Sequence, residues 1–447
     1  MLEHRRMRAG AKVRILLVSQ YWYPERGVPQ RRWRWVAEVL SRRGNDFLVI
    51  TPPIAGERKI SFAEWASRKG WRVAKSVEFG ELGEQILRCG FLPSASSLVL
   101  RAAGQAYISL SSIGVVLRRN KWLRDRKIDI VIGTVPTLPT ALSTFVVAKL
   151  VNKPYIIDLR DAWPELLKYS DRWNRSLGKQ SLKTVILGKL VFPFIEKGTE
   201  RMLTSVLQHS AGVLVTSSYL AEDLAQNMGI SAEKISVLRN VFPTPVRARA
   251  IKQVKSPNSL KVLYAGTMGR AQGLPNVLDA ARILRDRGID ICFKFIGAGV
   301  GKQELIRLAQ KEELKVEFSG AIPPEQLYKE YEWADTALVH LDDWPALQRT
   351  VPSKTYELMR NSVHITAVAA GETAELIRKT QAGSVVPPRD PEELADLWEE
   401  LAVGTTIPTV GSSGKNWVEE ERQKAEEQTI ATFVQTALSL TRNESDA

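Results

Sequence analysis

Residues 13–52 read VRILLVSQYWYPERGVPQRRWRWVAEVLSRRGNDFLVITP. VRILLVS (13–19) and DFLVITP (46–52) are short, continuous apolar runs, the mark of strands covered on both faces. Between them a helical pattern spans 29–43 and stops at Gly44. Strand, helix and strand in this order make a βαβ unit with parallel strands. The rhythm continues through DIVIGT (129–134), PYIIDLR (154–160) and GVLVTS (212–217). Residues 241–258, VFPTPVRARAIKQVKSPN, break it with two prolines and no apolar period, as a linker does. It restarts at LKVLYAG (260–266) and runs through CFKFIG (292–297), KVEFSG (315–320), TALVHL (336–341) and HITAVA (364–369). The pattern predicts two doubly wound, Rossmann-like α/β domains, residues 1–240 and 259–403. The connector GTTIPTVGSSGK and a closing helix occupy 404–447. The crevice between two such domains is the expected ligand site.

A chain of 447 residues is too long for one ordinary core, in agreement with two domains. Cys89 and Cys292 fit no metal or redox spacing. His4, His209, His340 and His364 form no H-x-x-x-H pair, which argues against a zinc enzyme. The net charge of +14 is uneven: residues 1–250 carry +20 and the remainder −6. A basic half calls for an anionic partner. Its cations cluster at Arg5–Arg14, in RRWRW (31–35) and in RRNKWLRDRK (118–127), with Trp33, Trp35 and Trp122 interleaved. Such a mixture predicts contact with an anionic membrane surface. No nucleic-acid recognition motif accompanies it. IVIGTVPTLPTALSTFVVA (130–148) is uncharged over a spanning length, but Pro136 and Pro139 divide it and it is assigned to the core. The apolar run ILLV near the N-terminus is too short for a signal peptide, so a cytoplasmic location is expected.

GAGVGK (297–302) is spaced G-x-G-x-G, lacks the residues of a P-loop and lies late in its domain, so ATPase and dehydrogenase readings fail. Two glycine-bearing loops fall at first strand ends. In SQYWYPERGVPQRR, Gly27 leads into a helix; in YAGTMGRAQGL, Gly266, Gly269 and Gly273 bracket Arg270. Glycines expose backbone N–H groups, and an arginine grips phosphate through two donors. RTVPSKTYELMRN (349–361) places Pro352 and Ser353 at a helix mouth as first-turn and cap residues, with Lys354 and Glu357 one turn apart. That arrangement suits a ligand with phosphate at one end and hydroxyls at the other; a capped surface helix with an i,i+3 ion pair would leave the same trace. DLRDAWPE (158–165) crowds Asp158, Arg160, Asp161, Trp163 and Glu165 at a strand end, fit for sugar hydroxyls or proton transfer.

The order of these pieces resembles the GT-B glycosyltransferases, specifically the retaining family 4 enzymes of the bacterial surface-polysaccharide type. ILLVSQYWYPERG, DLRDAWPE, VLYAGTMGRAQGLPNVLDAA, FIGAG, FSGAIPPEQLYKEYEWAD, VPSKTYELM and GETAELI follow in the family's sequence over roughly residues 13–400. The resemblance implies a nucleotide-sugar donor, a UDP-sugar first, in the second-domain crevice. It implies that Glu357 accepts from ribose hydroxyls and that Lys354 and Arg270 neutralise the diphosphate. Gly27, Gly266 and Gly269 would admit the pyrophosphate and sugar, with Glu372 near the same region. Asp161 would orient the acceptor or the sugar. It implies no divalent metal or other cofactor, a lipid-linked or oligosaccharide acceptor, and work at the inner face of the cell membrane. Three positions depart from the family. Arg349 stands where a second Glu is usual, MRNSVHI (359–365) replaces a small Gly-containing segment, and Gln272 replaces a lysine. A nucleotide-sugar epimerase on the same fold and an inactive membrane-surface partner protein are the alternatives.

Overall fold

The computed structural model describes residues 12–25, 27–94, 98–163, 197–243, 256–404 and 409–429. Most of the 241–258 linker, residues 5–11 of the first basic cluster, Glu165, part of the connector and the end of the closing helix lie outside them.

Among the described residues the first sheet has eight strands: β1 (Arg14–Val18), β2 (Asp46–Thr51), β3 (Glu78–Phe79), β4 (Gln85–Arg88), β5 (Ile130–Val135), β6 (Tyr155–Leu159), β7 (Gly212–Val215) and β8 (Ile235–Val237), in the order β3-β4-β2-β1-β5-β6-β7-β8. All neighbours are parallel except β3 and β4. The second sheet holds β9 (Ser259–Ala265), β10 (Asp290–Ile296), β11 (Val316–Ser319), β12 (Thr336–His340), β13 (Ile365–Val368) and β14 (Gly383–Val386), in the order β11-β10-β9-β12-β13-β14. It is parallel throughout, and its order reverses between β9 and β12. A doubly wound sheet offers its ligand crevice at that reversal, outside the strand C-termini.

Burial on both faces is visible along β1. Ile15 and Leu17 join Trp33, Val36 and Leu40 of the Val28–Arg42 helix, while Leu16 and Val18 join Ile108, Val115 and Ala141 on the other side. Trp33 and Trp35 are therefore core residues, 1% and 4% exposed, and neither is available to a membrane. The helical period of RRWRW placed them inward, which the cluster of charges around them concealed.

The run 130–148 divides as its prolines require: β5 ends at Val135 and the Leu138–Val151 helix carries Pro139 in its first turn. A different helix, Leu98–Arg118, has over Leu100–Arg118 the length and composition to cross a membrane. Here it is a layer of the first domain. Ile108, Val115 and Val116 are buried, and the side-chain amide of Gln20 donates to the Gln105 carbonyl and to Ser109 Oγ. Leu110 and Leu117, one heptad apart, remain 66% and 58% exposed on its outer face.

The closing helix, Ser413–Lys424, packs Trp417 in a stack on Tyr356 of the second domain. It then returns to the first: Trp35 Nε1 donates to Glu426 Oε1 at 3.1 Å.

Candidate active site

The second-domain half of the site is built from loops after β9 and β12 and from the Ser353–Arg360 helix. Pro352, not Ser353, is the N-cap of that helix; Ser353 is already its first residue. Lys354 does not pair with Glu357. Its ammonium lies 3.6 Å from the centroid of the Tyr264 ring, is buried, and has no hydrogen-bond partner among the described residues. Burial lowers its pKa to about 7. Gly266 makes room for this ammonium: a Cβ there would lie 3.0 Å from Lys354 Nζ. Glu357 instead accepts from the buried Tyr331 hydroxyl at 3.0 Å. It shares a narrow crevice with Arg31, Asn240 and Phe242 of the first domain side.

Arg270 opens a one-turn 3-10 helix between Gly269 and Gly273. Gln272, at the family's lysine position, pins the loop: its side-chain oxygen accepts from the Gly269 N–H at 3.0 Å. Gly273 sits at φ +56°, and a side chain there would press on Asp342 and His340. His340, buried at the end of β12, is driven down to a pKa of about 3 by burial, with Lys354 adding to the effect, and is neutral at physiological pH. Beside Arg270 opens a cavity of 500 Å³, walled also by Asn276, Gly301, Glu304, Asp342 and Arg389.

GAGVGK packs backbone on backbone. A Cβ on Gly297 would fall 1.9 Å from the Gly266 carbonyl oxygen, and one on Gly299 2.2 Å from that of Met268. The glycines hold the two βα loops together and leave no cradle of the dinucleotide type.

On the first domain, Gly27 is the exposed N-cap of the Val28–Arg42 helix. A cavity of 370 Å³ lies beside it, lined by Tyr23, Glu25, Gln30, Arg31, Pro243 and, from the second domain, Glu325. At the end of β6, Asp158 is buried and fully engaged: Arg32 Nη2 donates at 2.8 Å and Trp33 Nε1 at 2.6 Å. Asp161 follows it, its pKa raised by burial against the pull of the neighbouring Arg160.

The structure thus gathers Gly266, Gly269, Arg270, Lys354 and Glu357 around the strand ends of the second sheet, and leaves Gly27 and Asp161 at those of the first. Glu372 stands apart from both groups. Its carboxylate accepts from the Ser218 and Tyr219 N–H groups at 3.0 and 2.8 Å and is bridged by Arg239. Those bonds occupy both its oxygens and make it a tie between the domains. Two of the departures from the family also tie parts of the molecule together. Arg349 reaches Asp223 across the domains at 3.2 Å, and Arg360 holds Glu419 of the closing helix at 2.8 Å. Sequence reasoning missed Tyr264, His340 and Arg239. An aromatic residue two places before Gly266 was the available sign of the first; the others show themselves only through tertiary contacts.

Two parallel-sheet domains with facing strand ends and a cleft between them define the GT-B class of fold. Residues 27–241 match the glycosyl transferase 4-like domain, and residues 247–405 match the glycosyl transferases group 1 domain. The chain therefore matches, in that order, two domain models described for glycosyl transferases. It is 25% identical over 294 residues to WcaI of Escherichia coli (strain K12), a protein named for glycosyl transfer in colanic acid biosynthesis; the match spans 63% of this chain and 64% of that one, less than two thirds of the relative. It is also 25% identical over 394 residues to WbjE of Pseudomonas aeruginosa, named as a glycosyltransferase, covering 87% and 89% of the two chains. In fold it resembles sucrose-phosphate synthase from Thermosynechococcus elongatus, with a TM-score of 0.65 at 14% identity over 96% of this chain and 100% of that one. Anabaena Alr3699/HepE, solved with UDP and glucose, gives 0.60 at 14% identity over 95% and 100%.

Proposed function

We propose that this protein moves a sugar, with retention of configuration, from a nucleoside diphosphate sugar to a hydroxyl of a lipid-linked or cell-surface polysaccharide precursor. The observation that carries the donor half is Lys354. A buried ammonium with an aromatic face below it and no anion beside it is costly unless a ligand supplies the negative charge. Gly266 leaves the space that this ammonium occupies, and Arg270 stands on the same loop as a second cation. A diphosphate provides the complement, and Glu357 is the acceptor for ribose hydroxyls.

Neutralisation by Lys354 and Arg270 stabilises the departing diphosphate. If the acceptor attacks on the leaving-group face, a diphosphate oxygen takes its proton and no protein nucleophile is needed. Asp161 orients the acceptor or the transferred sugar. The two cations do the electrostatic work that a divalent metal does elsewhere. The names of the relatives support the polysaccharide acceptor, and HepE, solved with UDP and with UDP-glucose, supports a UDP-sugar.

The enzyme works at the cytoplasmic face of the cell membrane. With Trp33 and Trp35 in the core, the contact falls to the Leu98–Arg118 helix, the Asn120–Asp125 helix and the turn after it. Exposed Leu110 and Leu117 there adjoin exposed Arg118, Lys121, Arg124 and Lys127.

A thermal-shift screen of UDP, GDP and their sugars tests the donor reading. A ligand at one hundred times its Kd adds about 2.7 kcal/mol of stability. Absence of a shift with every nucleoside diphosphate would overturn it.

A further inference from the structure

Arg160 directly follows β6 at the C-terminal edge of the first sheet, where Thr216 Oγ1 donates to its carbonyl at 3.1 Å. One residue beyond Thr216, Ser217 donates to the Arg349 carbonyl of the second domain, so this edge faces the cleft. The Nε and Nη1 of Arg160 are buried and, among the described residues, have no hydrogen-bond partner; the indole nitrogen of Trp163 is in the same condition. The nearest carboxylates do not relieve them. Asp158 is committed to Arg32 and Trp33. Asp161 lies close enough to act on Arg160 electrostatically, but among the described residues no ion pair joins the two.

The result is a set of buried N–H donors that meet no acceptor among the described residues. A neutral sugar hydroxyl can donate to the Asp161 carboxyl but would leave most of these donors unpaired. Several donors around a guanidinium match an anion with two or three oxygens. The diphosphate of the donor already has its own cations, Lys354 and Arg270, on the other domain. We propose that Arg160 and Trp163 bind an anionic group, phosphate or carboxylate, carried by the acceptor, beside the carboxyl of Asp161. This inference rests on the glycosyltransferase reading and names the acceptor's class.

The test is a calorimetric titration with the donor site saturated by UDP. Glucose 1-phosphate, glucuronate and glucose are the probes; wild type, Arg160→Gln, Arg160→Lys and Trp163→Phe are the proteins. The two anionic sugars should bind the wild type and glucose should not, with the stronger of the two identifying phosphate or carboxylate. Arg160→Gln should weaken anionic binding by about tenfold or more, the loss of one charge-assisted bond. Arg160→Lys and Trp163→Phe should fall between. UDP affinity should match the wild type in all three variants, which also shows that they are folded; should Arg160→Gln fail that check, Arg160→Lys carries the comparison. Equal binding of anionic sugars by wild type and the Arg160 variants, or glucose binding as well as glucuronate, overturns the inference alone. Failure of the wild type to bind UDP overturns the glycosyltransferase reading instead.

Discussion

Lys354 shows what a single residue contributes and how far it was visible beforehand. Its place at the mouth of a helix, three residues before Glu357, was legible. Its true neighbour, the Tyr264 ring, belongs to another strand and could not be read from spacing. Removing the charge with Lys354→Ala, or that of Arg270 with Arg270→Ala, should weaken UDP binding by roughly 1.5–3 kcal/mol and leave uridine binding almost unchanged. Equal losses for uridine and UDP in calorimetry would show that neither residue meets phosphate. Burial also gives Lys354 a pH signature. With its pKa lowered to about 7, much of the free protein is neutral there at pH 8. A bound diphosphate favours the ammonium and raises that pKa again. Binding at pH 8 should therefore take up a proton, and affinity should fall as pH rises above about 7. Titrations of UDP in buffers of different ionisation enthalpy measure the uptake. Lys354→Arg, charged at all these pH values, should abolish it.

At the scale of elements, alternation of strands and helices was plain because parallel strands buried on both faces leave continuous apolar runs. The roles of loop residues were not, since they depend on which loops become neighbours. GAGVGK looked like a failed nucleotide motif and is a contact between backbones. Gly297→Ala, with φ at +147° and a carbonyl 1.9 Å from the new Cβ, should cost more than about 2 kcal/mol in denaturant unfolding. Gly301→Ala, where the nearest atom is at 3.1 Å and the backbone is right-handed, should cost less than about 1 kcal/mol. Comparable losses for the two would remove the packing explanation. The departure at MRNSVHI has a local reading of the same kind. Ser362 follows the C-cap of the Ser353–Arg360 helix at φ +50°, a conformation suited to glycine. Ser362→Gly should raise stability by about 1 kcal/mol without altering UDP affinity.

Across the whole molecule, the two domains are held by charges that no local pattern reveals. Arg239, 11% exposed, bridges Glu372 and Glu421, the latter from the closing helix, and stands 5.5 Å from the Trp417 ring centroid. Arg239→Ala would leave Glu372 buried without its cation and should cost about 3–5 kcal/mol, read as a lower unfolding midpoint. Charge also governs what the molecule approaches. The +20 of residues 1–250 was legible as a number, but its geometry was not, because helical period sent Trp33 and Trp35 inward and left the outer face of the Leu98–Arg118 helix apolar. Each Lys or Arg near an anionic bilayer contributes about 1 kcal/mol, so under the membrane proposal Arg118, Lys121, Arg124 and Lys127 would together make an attachment that salt can release. Leu110 and Leu117 would add apolar contact once the surface is reached. The protein should float with phosphatidylserine vesicles at low salt and leave them at high salt. Leu110→Glu with Leu117→Glu, both at exposed positions, should reduce flotation while UDP binding is kept. Flotation that ignores both lipid charge and these leucines would remove the membrane surface from this helix.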